Sequence, residues 1–295
     1  MAVQTTQGSI TKSSPSSAAA GGDDKPWALK SLPPFPAVAL QLLSLLDDED
    51  VPMKQVVKLL RVDPALSAEI LRVSNSALYG LSRRIDNISH AIVVLGTDSV
   101  KRLALTVALG RFSHGFMRDK GLRICWDHSL ACALLCEELS DTLHQARDRA
   151  YTIGLLHDVG RLAILACYPK EYGNMLEVAR ENDFDELECE RQLFDIDHAA
   201  AGQWLAQHWN LPADFAEAIF SHQGAPYSEG TLRGMVSAAD ALANAMSFGV
   251  LQTKVQPTIA EIVAQLPFQD KEKAVERYSA MGDKIRGSIG AISPN

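Results

Sequence analysis

Residues 151–165 read YTIGLLHDVGRLAIL. An apolar run of this length reads as a buried helix. Yet it carries His157 and Asp158 side by side, with Arg161 one turn later. Polar groups are expensive to bury unless they are paired, hydrogen-bonded or bound to a metal. The His-Asp pair therefore calls for partners from elsewhere in the chain.

Working outward, the chain continues as short apolar-periodic segments with tight connections. LPPFPAVALQLLSLL (32–46) opens on prolines and then places Val38, Leu42, Leu45 and Leu46 on one helical face. VPMKQVVKLLRV (51–62) is a second helix with Pro52 in its first turn. In DPALSAEILRVSNSALYG (63–80), Asp63 caps, Pro64 starts and Gly80 ends a third helix. Gly96 stops a fourth, ISHAIVVLG, and Thr97 caps a fifth, which runs through TDSVKRLALTVALGRF. Further helices are expected over 124–140, 147–166, 169–182, 185–193, 197–209, 212–221, 230–248, 257–266 and 270–287. The stretch AIVVLG has strand propensity but no partner strand. The fold class is all-α. Residues 1–25 are rich in Ser, Thr, Ala and Gly and read as a disordered tail. The segment 113–123 reads as a soft boundary between an N-terminal bundle (27–112) and a second bundle (120–250). A C-terminal helical extension covers 251–295, placed either over the second bundle or at a dimer contact.

The composition is that of an ordinary globular protein, 47% hydrophobic and 22% charged over 295 residues. The formal net charge of −8 repels phosphate backbones and argues against nucleic-acid binding. The basic pairs Arg83-Arg84 and Lys101-Arg102 read as solvated helix ends. Five cysteines without a CxxC pair form no disulfide framework, and Cys125, Cys132 and Cys136 read as small buried hydrophobes. No secretory signal or charge-free apolar run of about 18 residues is present, so a cytoplasmic, non-membrane protein is expected.

Eight histidines are few enough to inspect singly. His90, His114, His144 and His208 read as surface or linker residues. His128 in WDHSLA, His157 in GLLHDVG, His198 in DIDHAAAG and His222 in FSHQG instead sit beside apolar or small neighbours, as does Asp240 in VSAADALANAM. Each alone reads as a core residue bonded to backbone. As a set, imidazoles and carboxylates on facing helices are how bundles build divalent-metal sites. Adjacent His and Asp on one helix point about 100° apart, so they converge on one ion only in a pocket between helices.

LLHDVGRL resembles the signature of the HD superfamily of metal-dependent phosphohydrolases. More specifically, seven stretches in order resemble the HDOD (HD-related output domain) family over 27–245: LPPFPAVALQLLSLL, DPALSAEILRVSNSALYG, ISHAIVVLG, WDHSLACA, YTIGLLHDVGRL, DHAAAGQWLAQHWNLP and AIFSHQ. The resemblance implies a bacterial regulatory module, an N-terminal helical bundle packed on an HD-like domain. It implies signalling proteins as partners, a nucleotide as one candidate ligand, and no catalysis. Carried over by motif, the basic metal set is His128, His157, Asp158 and Asp240, for a divalent ion such as Fe, Mn or Zn. His198 and His222 match additional ligands of the HD-GYP phosphodiesterases. Gln223 replaces the second His of their pair, their Gly-Tyr-Pro motif is missing, and Arg161 stands where they have lysine. The alternative is a metal-dependent phosphohydrolase for a nucleotide or other phosphate ester. There Asp158 would bridge ions or orient a water, and Arg161 would hold a phosphate. In the competing reading Arg161 merely neutralises Asp158.

Overall fold

Capping residues and prolines punctuate the chain into helices. A computed structural model describes residues 25–45, 51–114, 120–224, 226–227, 230–250 and 256–293. Residues 1–24, most of the expected tail, and 115–119, at the heart of the expected boundary, lie outside that set, as does Leu46. The N-terminal bundle contains α1 (Ala37–Leu43), α2 (Met53–Arg61), α3 (Pro64–Ser74), α4 (Ile88–Leu95) and α5 (Thr97–His114). The bundle that follows contains α6 (Lys120–Leu139), α7 (Arg147–Leu156), α8 (Val159–Cys167), α9 (Pro169–Asn182), α10 (Glu186–Phe194), α11 (His198–His208), α12 (Ala213–Ser221) and α13 (Leu232–Ala245). Then come α14 (Ile259–Gln265), α15 (Lys271–Ser279) and α16 (Met281–Ile292). The described residues contain no strand, and ISHAIVVL is helical.

Several starts follow directly from side-chain chemistry. Asp63 accepts from the Leu66 N–H at 2.9 Å with Pro64 in the first turn, as expected. Asn87, Asp185, Asp197, Thr231 and Asp270 do the same for α4, α10, α11, α13 and α15. The capping box Thr258/Glu261 starts α14.

Four local expectations need correction. The third helix ends at Ser74 rather than Gly80, because Asn75 turns its side chain onto the Leu71 and Ile85 carbonyls and the Ile85 N–H. The expected helix 270–287 is two helices meeting at Ala280. Lys101 and Arg102 are not a solvated helix end. Lys101 is buried against Asp98, and Arg102 is paired with Asp148 and Glu137. The most consequential correction is that 147–166 is not one continuous helix. It breaks at His157-Asp158, where Asp158 leaves helical geometry (φ −103°, ψ 21°).

That broken helix is the centre of the molecule. Segment 147–167 is long and apolar enough by composition to cross a membrane, but it is 94% buried inside the fold. Two glycines flank the break and set its packing. A Cβ on Gly154 would lie 2.7 Å from the Cys132 carbonyl oxygen on α6. One on Gly160 would lie 2.0 Å from the His198 carbonyl oxygen and 2.4 Å from the Gly202 nitrogen on α11. These distances allow no side chain, so α7 and α8 touch their neighbours backbone to backbone. The sixth helix packs along α7 and α13, while α11 packs on α8 and α12. Of the two placements considered for the C-terminal helices, α14 covers α13 and α16 packs on α6. Arg72 of α3 donates to the Ala291 and Ile292 carbonyls at the end of α16.

Gly160→Ala is expected to destabilise by at least about 3 kcal/mol, the upper end of overpacking costs, because backbone rather than a flexible side chain opposes it. A lowered urea midpoint at unchanged slope checks this. Asp63→Ala should cost about 1 kcal/mol. Burial pushes the Asp63 carboxyl up, but the Leu66 N–H and Arg111 outweigh it and hold its pKa below the ordinary value. The cap's contribution is therefore present above that ordinary value and lost as pH falls through the lowered one. Denaturation of wild type and variant at pH 7 and at acid pH should show the difference shrinking.

Candidate metal centre

Four helices and the break deliver the polar groups to one point. His128 comes from the first half of α6 and Asp240 from α13, while His157 and Asp158 form the break between α7 and α8. His198 is the first residue of α11, and His222 follows the end of α12. The two helices flanking the break leave the local frame free to turn Asp158 toward the histidines. An intact helix would have splayed the two side chains apart.

The imidazoles share one orientation. The Nδ1 of His128 donates to the Phe248 carbonyl (3.1 Å), that of His157 to Gly154 (2.7 Å) and that of His222 to Ile219 (2.8 Å). His198 donates from Nδ1 to the Glu190 carboxylate at 2.7–2.8 Å. All four rings thereby turn Nε2 inward. Anchoring one ring nitrogen fixes the tautomer and presents the other as a ligand. The inward nitrogens surround Asp158, at 3.6 Å (His198) and 3.8 Å (His222) from Oδ1 and 3.9 Å (His128 and His157) from Oδ2.

Burial holds the His157 pKa down to about 4 and lowers that of His222, so both rings keep Nε2 lone pairs at neutral pH. At His128 burial also pulls down, but the hydrogen bond and charge of Asp240, 3.1 Å from Nε2, raise the net value. With Nδ1 on the Phe248 carbonyl, Nε2 faces the Asp240 carboxylate, where a cation would sit. Burial raises the Asp158 carboxyl, yet Arg161 and the surrounding imidazoles outweigh it and hold its pKa well below the usual range.

The donor set fits a divalent ion. Among the described residues, two fully buried polar atoms at the centre have no hydrogen-bond partner, His157 Nε2 and Asp158 Oδ1. Both atoms are thereby free to bind an ion. His157 belongs to two groups whose ligand atoms lie within 4.8 Å of one another, one with His128, Cys132 and Asp240 and the other with Asp158 and His222. The six histidines and aspartates expected from the sequence cluster around Asp158 and His128, with His198 grouped apart beside Glu186 and Glu190.

Arg161 follows the neutralising reading. Its Nε donates to Asp158 Oδ2 at 2.8 Å, and its other nitrogens reach Glu186, Tyr172 and the His198 Nε2 (3.2 Å). Gln223 also lies against His198 Nε2, at 2.9 Å. Arginine can only donate, so His198 accepts there and is the neutral Nδ1–H tautomer. Guanidinium and amide cover the face of His198 that a second ion would need.

Three participants escaped the sequence reading. Glu190 is fully buried and accepts from the His198 ring, the His198 backbone N–H (2.7 Å) and the Tyr172 hydroxyl. Nothing in ELECERQLF distinguishes it from its solvated neighbours. Glu186 is equally silent. Cys132 does carry a signal, since it lies four residues after His128 on α6 and shares that face. Its thiol is 3.6 Å from His128 Nε2.

A cleft of about 760 Å³ opens onto the centre. His128, Asp158, Arg161, His222 and Asp240 line its floor, with Phe184, Tyr227 and Asn244 among the walls. Asp240 is the accessible member, with a third of its side chain exposed.

A buried His/Asp cluster at the break of a core helix, in an all-helical chain, defines an HD-like domain. The HDOD domain model matches residues 32–225, and the chain belongs to that family. An uncharacterised protein of Treponema pallidum (strain Nichols) is 27% identical over 211 residues, 71% of this chain but only 41% of that protein. The crystal structure of an HDOD domain protein of unknown function from Geobacter sulfurreducens is similar at a TM-score of 0.75 and 25% identity, covering 88% of this chain and 93% of that one. A Shewanella amazonensis SB2B protein, described as a phosphohydrolase, is similar at a TM-score of 0.68 and 26% identity, covering 88% and 95%.

Glu190→Gln, which turns an amide toward three donors, should destabilise by about 2 kcal/mol. Burial pushes the Glu190 carboxyl up, but His198, Arg161 and Tyr172 together hold it below the ordinary 4.5. Its contribution is therefore present above that pH and lost as pH falls through the lowered value. Urea titrations from pH 7 to pH 3 should converge for the two proteins at the acid end.

Proposed function

We propose that this chain is a bacterial, cytoplasmic HDOD output module. Its buried centre holds one divalent metal ion, and it acts by binding a signalling protein or ligand rather than by hydrolysis. The observation that supports this reading is the state of Arg161. It is the sole arginine or lysine lining the cleft among the described residues, and it is committed to both Asp158 and Glu186. A phosphate entering the cleft meets Asp185, Glu186 and Asp240 and no free guanidinium or ammonium. Phosphoryl transfer depends on cationic stabilisation, which in this cleft the bound ion alone would have to supply.

In this reading His128, His157 and Asp240 hold the ion, Asp158 beside them neutralises Arg161, and together they tie α6, the α7–α8 break and α13 together. A bound divalent ion supplies Lewis acidity and lowers the pKa of a water. The protein's own residues orient imidazoles, neutralise Asp158 and shape the cleft. A nucleotide is the small-molecule candidate for that cleft, with Phe184 and Tyr227 on its walls as stacking surfaces.

One observation favours the second reading, a metal-dependent phosphohydrolase. The cleft opens directly onto Asp158 and Asp240, and the similar Shewanella protein is described as a phosphohydrolase.

Metal analysis of protein purified without chelator or metal-affinity resin tests the centre. About one equivalent of zinc, iron or manganese is expected in wild type and little in Asp158→Ala, with helical circular dichroism confirming that the variant folds. A panel of phosphate esters and cyclic dinucleotides with added manganese or iron then separates the two readings. No turnover is expected. Turnover that disappears in Asp158→Ala would replace the regulatory reading with the hydrolytic one.

A further inference from the structure

We infer that Cys132 is a ligand of this centre, completing with His128, His157 and Asp240 a closed four-ligand set for a thiophilic divalent ion. The inference rests on the metal-binding reading above and names its ligands and its metal class.

Two edges of the set have the lengths of a coordination shell. Around a tetrahedral ion with metal–sulfur and metal–nitrogen bonds of about 2.3 and 2.05 Å, the sulfur–nitrogen edge is about 3.6 Å and a nitrogen–oxygen edge about 3.3 Å. The Cys132 Sγ to His128 Nε2 distance is 3.6 Å, and His128 Nε2 to Asp240 Oδ1 is 3.1 Å. The fourth atom, His157 Nε2, completes a set whose members all lie within 4.8 Å of one another. That nitrogen is fully buried and unpartnered, and it faces the same point. A cysteine alone would say little. Here an orphaned imidazole nitrogen on another helix converges on the same position as the thiol.

The local structure also explains why Cys132 is where it is. His128 and Cys132 stand four residues apart on α6, which places both ligand atoms on one face. That face meets α7 at Gly154, where no side chain intervenes and the Cys132 carbonyl would lie 2.7 Å from an added Cβ. The close approach brings His157, one turn beyond Gly154, toward the thiol.

Charge and chemistry select the ion. Thiolate and carboxylate together balance a divalent cation, so two neutral imidazoles, Cys132 and Asp240 leave the buried site uncharged. On binding, the Cys132 thiol releases its proton to solvent and a metal–sulfur bond replaces the S–H bond. Thiolate favours zinc or ferrous iron, whereas carboxylate and water suit manganese and magnesium. A shell filled by four protein groups leaves no position for substrate, as in structural zinc sites. Asp158 then serves as the counter-charge of Arg161 rather than as a ligand.

X-ray absorption on the zinc-loaded full chain tests this without any variant. One sulfur at about 2.3 Å among nitrogen and oxygen neighbours is expected. A shell of nitrogen and oxygen only overturns the cysteine assignment and leaves the metal centre standing. Failure of wild type to take up zinc or cobalt overturns both. Cobalt loading adds an independent readout. Wild type and Cys136→Ser should show thiolate-to-cobalt charge transfer in the near ultraviolet, and Cys132→Ala should lack it. Zinc binding should weaken at least about a hundredfold in Cys132→Ala and manganese binding by less than about threefold, following ligand softness. Retention of the charge-transfer band in Cys132→Ala would sink the inference.

Discussion

The ion pair between Asp158 and Arg161 is the interaction on which the rest of the centre depends. Both groups are buried, and a lone carboxylate there would be untenable. Arg161 is the third residue of α8, three positions after Asp158, the spacing at which side chains meet on one helical face. Glu186 and Tyr172 then satisfy the rest of the guanidinium, which draws α9 and α10 against α8. Glu190 in turn fixes His198. A chain of charge-assisted hydrogen bonds thus runs from the bundle core to its outer helices, each member unaffordable without the next.

The architecture was largely legible in the sequence, because helix ends are written in local chemistry. Asp63, Pro64 and Gly96 mark boundaries that the structure reproduces. The errors fall where a long-range contact overrides a local pattern. Apolar periodicity runs uninterrupted through His157, so nothing local announces the break there. Its cause lies in what α6 and α11 present opposite Gly154 and Gly160. Asn75 ends α3 early by reaching residue 85, a contact that helix propensity does not encode.

The same division runs through the site. The histidines and aspartates stood out because ionisable residues among apolar neighbours are conspicuous. The four histidines and Asp158 are buried close together, and Asp240 stands at the open side. Glu190 and Glu186 were invisible because they lie in an acidic amphipathic helix that looks solvated throughout. Cys132 was hidden differently. A cysteine on an apolar helix is ordinarily packing material, and only its position relative to His128 sets it apart from Cys125 and Cys136.

The grip of Arg72 on the last carbonyls of α16 has a mechanical consequence. The helix end that receives this cation carries partial negative charge, and α16 itself lies along α6, the helix that bears His128. The carboxyl-terminal segment therefore works as an external clasp across the two bundles. Sliding one bundle over the other must either drag α16 along α6 or open the clasp. At the rim this clasp adds to the contacts between the same two sets of helices that Arg102 makes with Asp148 and Glu137, and Thr106 with Tyr151.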